Sequence, residues 1–174
     1  MSVLITTAIS TVTLDESAGL QNSVATPAPA QDANDNDILA SSLPTAFSSR
    51  LSTLGAAAPT KAALSGYAGG SSTGANAFTF TATGTVTDLS FTGSTGAPLN
   101  GLDSGLNTAD GEDIFLFTDT ANNNIVLGKT SAGVIVFAAY LEETGTPVSG
   151  AKIWMVQYEA IANPDATNAD DAVN

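Results

Sequence analysis

The side chains able to do chemistry in this chain are almost all carboxylates. Seventeen Asp and Glu face four basic residues, Arg50, Lys61, Lys129 and Lys152, and neither histidine nor cysteine occurs. That removes Ser-His-Asp and Cys-His nucleophilic machinery. It also removes zinc, iron and copper centres held by imidazole or thiolate. No G-x-x-x-x-G-K-[ST] loop is present, and no G-x-G-x-x-G follows a strand. A pair of acids can still hydrolyse a glycosidic bond. Glu142, Glu143 and Glu159 are the candidates, but sugar clefts also want aromatic platforms, and the chain has one tryptophan and three tyrosines. Glu142-Glu143 reads more simply as a solvated hairpin end. Trp154, Met155 and Tyr158 read better as a strand in a core than as a ligand platform.

Hard cations are the other option, because calcium takes oxygen ligands from Asp, Glu, Asn and carbonyl groups. The densest candidate is Asp32-Ala33-Asn34-Asp35-Asn36-Asp37. It opens like an EF-hand loop, yet Asp37 stands where the turn glycine belongs and Leu43 where the bidentate acid belongs, so an EF-hand is excluded. Five residues, Asp32 to Asn36, are similar to the D-x-N-D-N calcium linker of cadherins, although no Ala-Pro follows and the other cadherin acidic motifs are missing. The competing reading is a solvated acidic loop. A second group, Asp103, Asp110, Glu112 and Asp113, could gather around an ion or simply cap turns. A third, Asp15 and Glu16 near the start with Asp170 and Asp171 near the end, could share calcium where one module meets the next. The G-G-x-G-x-D repeat of calcium-binding toxin solenoids does not occur.

The elements that must position these residues are mostly strands. Residues 3–14 (VLITTAISTVTL) are rich in β-branched types. Residues 24–37 combine proline, alanine and acids and read as a loop or linker. Leu43, Phe47, Leu51 and Leu54 share one helical face, with Ser42 as N-cap, Pro44 in the first turn and Gly55 at the stop. A second helical turn is expected around Lys61 to Leu64. Ala77–Ala82 and Thr85–Phe91 suggest a hairpin around Thr83-Gly84, followed by a long glycine-bearing loop to Asp113. Four strands then follow closely, Ile114–Thr118, Ile125–Gly128, Val134–Leu141 and Lys152–Glu159, and their short connections imply an antiparallel meander. Val134–Leu141 is apolar on both faces, with Val134, Val136 and Tyr140 opposite Ile135, Phe137 and Leu141. Such a strand must be central and covered. The fold class expected over residues 1–174 is one all-β domain, a two-layer antiparallel β-sandwich with one short amphipathic helix.

The formal net charge of -13 disfavours nucleic acid and anionic membrane surfaces as partners and favours cations or a basic partner. No stretch has the roughly 20 apolar residues of a membrane span, so membrane insertion is not expected. MSVLITTAIS lacks the basic region of a secretory signal. The chain reads as a piece of something longer, because Asp170-Asp171-Ala172-Val173-Asn174 closes no element. Lack of cysteine suits a long surface protein exported unfolded.

Several segments together resemble a known group: Leu14-Asp15-Glu16-Ser17-Ala18-Gly19, Gly101-Leu102-Asp103-Ser104-Gly105-Leu106, Val126-Leu127-Gly128-Lys129, Trp154 to Ile161, and Asp170-Asp171. They look like the uncharacterised domain that recurs in tandem in very large RTX-type (repeats-in-toxin) bacterial secreted proteins and adhesins. The resemblance runs from about residue 12 to the end. It implies a calcium-rich extracellular or cell-surface setting, type I secretion and neighbouring modules of the same chain as partners. It carries no enzymatic activity and no assigned site residues. The function expected is a non-catalytic structural or adhesion module that calcium could rigidify. The alternatives are a module binding a glycan or surface protein through its loops and, behind it, a carboxylate hydrolase.

Overall fold

A computed structural model describes residues 3–8, 10–14, 38–56, 58–59, 61–67 and 74–162. Within them the chain forms β1 (Val3–Ala8), a 3-10 turn (Ala40–Ser42), α1 (Thr45–Thr53), β2 (Lys61–Leu64), β3 (Phe78–Ala82), β4 (Asn100–Asn107), β5 (Asp113–Thr118), β6 (Ile125–Lys129), β7 (Ile135–Thr144) and β8 (Gly150–Gln157). The fold is all-β and sandwich-like with one short helix. Every pairing is antiparallel, in the order β1-β3-β8-β7-β6-β5-β4, and the sheet branches because β2 also pairs with β8. The meander from β5 to β8 is the one expected from short connections, and β7 lies at its centre between β6 and β8.

The helix forms where the apolar spacing places it. Phe47 and Leu51 are buried, and Leu54 packs against the same cluster. Its stop is a Schellman arrangement: Gly55 at φ +74° donates to Ser52, and Ala56 donates to Leu51. Its start differs from expectation. Pro44 is the N-cap and no side chain caps the helix, because Ser42 closes the preceding 3-10 turn by donating its amide to Leu39.

Four further expectations are corrected. Lys61–Leu64 is a strand, not a helical turn: it pairs with Trp154–Gln157 of β8, and Ala62, Ala63 and Leu64 are all buried. Long-range pairing overrides the helix propensity of alanine. No hairpin forms at Thr83-Gly84, since β3 pairs with β1 and β8. Thr85–Phe91 is not a strand but a crossover along the ends of the meander. Val148 donates to Val86, Phe91 donates to Asn123, and Leu89 donates to the Glu143 carboxylate. The long loop before Asp113 contains β4, an edge strand carrying irregularities at two places, near Gly101 and Gly105, both at positive φ. Bulges of this kind blunt an edge.

Two clusters hold the sheet. On one face α1 packs over Ile125, Leu127, Ala138, Trp154 and Val156, with Ala62 and Leu64 of β2 in the same cluster. The other cluster is built from Ile114, Val136, Phe137 and Ile161, with Leu106, Leu116 and Met155 against it. Simple alternation puts Val136 and Phe137 on opposite faces. They share a cluster because β7 advances two residues, Ile135 to Phe137, while β6 advances one, Lys129 to Gly128.

Candidate functional site

The sequence candidates separate into those that the described residues include and those that lie outside them. Asp15, Glu16, Asp32, Asn34, Asp35, Asn36, Asp37, Asp170 and Asp171 all lie outside, as does the loop or linker 24–37. The second acidic group is described. Asp103 accepts from the amide of Gly105 at 2.9 Å, and Asp113 accepts from the Asn107 side-chain amide at 2.7 Å. Asp110 and Glu112 are exposed in the tight β4–β5 turn. Among the described residues no three acidic side chains gather as a metal cage.

The three glutamates are held apart by the strand they sit on or follow. Glu142 and Glu143 are consecutive on β7 and therefore project to opposite faces. Glu142 accepts from the Trp154 indole at 2.7 Å. Glu143 accepts from the Leu89 amide at 2.6 Å and from the Asn124 side chain at 3.2 Å, which fastens the crossover to the meander. Glu159 is exposed beyond the end of β8. Trp154 and Tyr158 belong to the helix-side cluster and Met155 to the opposite one. They form core, not a platform.

A charged contact that spacing did not suggest ties the helix to the sheet. Arg50, in the last turn of α1, grips Asp119 with Nε to Oδ2 and Nη2 to Oδ1, both at 2.7 Å. The Asp119 side chain is 3% exposed and that of Arg50 is 22%. The same carboxylate accepts from the Asn122 amide at 3.0 Å, so it also shapes the β5–β6 turn. The hydrogen bond from Arg50, aided by its charge and opposed by burial, holds the Asp119 carboxyl below the usual carboxylate range.

Beside this pair lies an open cleft of about 560 Å³ between the end of α1, the β5–β6 hairpin and the start of β4. Leu54, Leu99, Phe117 and Leu127 give it an apolar floor. Lys129 stands at its edge with Nζ 5.4 Å from the centre of the Phe117 ring. Phe115 pairs directly with Lys129 and Phe117 with Leu127, so Lys129 and Phe117 are diagonal neighbours on one face. Their strand types were legible in the sequence, but their juxtaposition with Arg50 was not. No helix among the described residues is long and apolar enough to cross a membrane. No family model, curated protein or solved structure matches the chain.

Proposed function

We propose that the chain is a non-catalytic structural module of a large extracellular or cell-surface protein, joined to further modules and stiffened by calcium at acidic segments. The observation that carries this reading is the employment of its carboxylates. Glu142 is bonded to Trp154, Glu143 to Leu89 and Asn124, and Asp119 to Arg50. Each of these acids joins one part of the fold to another by a hydrogen bond. Carboxylate pairs that hydrolyse sugars need a shared site about 5–10 Å across. Opposite-face glutamates on one strand do not make one.

Calcium enters from the composition. A net charge of -13 carries a self-repulsion that bound divalent ions relieve. The test is thermal unfolding of the full chain in calcium, in magnesium and in chelator. With an affinity of about 0.1–1 mM, usual for extracellular calcium modules, ~10 mM calcium adds about 1.4–2.7 kcal/mol. For a chain of this size that raises the midpoint by roughly 3–10 °C. An unchanged midpoint removes calcium and leaves a plain scaffold. Glycan hydrolysis that disappears in Glu142→Gln or Glu143→Gln overturns the non-catalytic reading itself.

A further inference from the structure

We propose that the cleft between α1 and the β5–β6 hairpin is a binding site for a small organic acid, a single carboxylate carried on an apolar body. This does not rest on the structural-module reading, since a scaffold can hold such a site with or without calcium.

Three observations converge. The first is where the positive charge lies. The chain has only four basic residues against 17 acids, yet two of the four, Arg50 and Lys129, line this one cleft. The second is how those two are engaged. The guanidinium of Arg50 is spent bidentately on Asp119, so that pair is locally neutral. Lys129 has no carboxylate among the described residues within ion-pair distance, and its ammonium stands over the Phe117 ring. Among the described residues it is therefore the charge of the cleft that no carboxylate compensates. Held over an aromatic ring that lines the same cleft, the ammonium is placed to receive an anion from outside. The third is size and lining. About 560 Å³ is the scale of a small-molecule site. Leu54, Leu99 and Phe117, each half-buried, supply apolar surface for the body of the ligand. Asn100 and Thr120, both exposed at the rim, offer polar groups for its orientation.

The chemistry that fits is directional. The carboxylate meets the Lys129 ammonium, and the apolar body lies on the leucines. Bulk repulsion from the other acids does not forbid it, because exposed charges more than a Debye length away, about 8 Å at physiological salt, are largely screened.

The test uses the full chain labelled for amide NMR, titrated with 3-phenylpropionate and, separately, with its neutral amide. Saturating shifts centred on Phe117, Leu127 and Lys129 are expected for the acid, with a Kd of about 1 mM or tighter. The neutral amide is expected to bind roughly ten-fold more weakly, the worth of one charge-assisted contact. Lys129→Gln should weaken the acid by a similar factor. Lys152→Gln, which removes the same charge from β8 outside the cleft, should leave it unchanged. Equal affinity for acid and amide overturns the proposal, as does an acid titration without saturation or an equal loss in both lysine variants. Because the acid-against-amide comparison is made on the wild-type chain, it stands even where a variant folds poorly.

Discussion

Phe137 of β7 covers Gly128 of β6. The two are cross-strand partners, and a Cβ added at Gly128 would overlap the Phe137 ring carbons. The ring occupies the space that the glycine leaves, so the largest side chain of the smaller core cluster rests on a residue without one. This happens beside the β7 bulge that places Val136 in the same cluster. Gly128 is thus required for packing, not for backbone freedom. Gly128→Ala is expected to destabilise the protein by about 1–3 kcal/mol, the usual cost of overpacking a close-packed core, read as a lower urea midpoint at unchanged slope. In a Phe137→Ala background the same change should cost far less, because the two residues interact directly. Additive effects in that cycle would contradict the contact.

How much of this was legible in the sequence depends on what decides each element. β7 and β8 announce themselves because burial on both faces demands an apolar text, and α1 because Leu43, Phe47 and Leu51 repeat at helical spacing. β4 does not, since an exposed edge strand needs one ladder and no apolar pattern, and its glycines read as turns while serving as bulges. β2 is decided by pairing with a strand about ninety residues later in the chain, which no local propensity can report. The Arg50–Asp119 grip is hidden for the same reason: the two residues are 69 apart. Among the chemical candidates, Asp103 and Asp113 were visible as acids, but only the fold shows that each accepts a hydrogen bond from its own hairpin.

Ser65 fills a gap in that distant pairing. β2 covers β8 from Trp154 to Gln157 and β3 covers only Gly150 and Ala151. Between them the Ile153 amide donates to the Ser65 hydroxyl at 3.0 Å, and that hydroxyl donates to the Ala75 carbonyl at 2.6 Å. Ser65 is 0% exposed, so water cannot replace it without rearrangement. Ser65→Ala leaves the Ile153 amide without this acceptor and the Ala75 carbonyl without this donor, and is expected to cost about 1–3 kcal/mol. Hydrogen exchange should locate the damage, with the Ile153 amide losing protection before its neighbours on β7. A variant as stable as wild type, with Ile153 still protected, would show that the hydroxyl is dispensable.

Asp119 gives the fold an acid-sensitive joint. Its folded carboxyl is held below the usual range by Arg50, while in the unfolded chain it titrates near ~3.9. The unfolded state therefore takes up the proton first as pH falls. The stabilisation is present above about pH 4 and is lost as pH drops through the lower, folded value. Asp119→Asn should destabilise the protein at neutral pH by about 1.5–3 kcal/mol, the worth of a hydrogen bond to a charged group. The difference between wild type and variant should shrink on going from pH 6 to pH 2. Urea midpoints across that range measure it directly. A difference that stays constant with pH would assign the loss to packing, not to charge.

Tyr158 presents the opposite case, a polar group whose burial is not compensated. Its ring packs against the helix-side cluster, and its buried hydroxyl has no hydrogen-bond partner among the described residues. Burial pushes its ionisation up to about 12. In the unfolded chain a tyrosine ionises near ~10, so above that pH the unfolded state releases its proton first and the folded state loses ground until pH passes the folded value. Below about pH 10 the residue contributes no pH dependence. Tyr158→Phe removes an unsatisfied hydroxyl while keeping the ring, so it should be neutral or stabilising by up to about 1 kcal/mol at pH 7. The variant should also resist alkaline unfolding better than wild type. Ultraviolet titration should show the latest-ionising phenolate disappearing in the variant. A loss of stability at pH 7 would mean that the hydroxyl has a partner after all, and the alkaline advantage should then vanish with it.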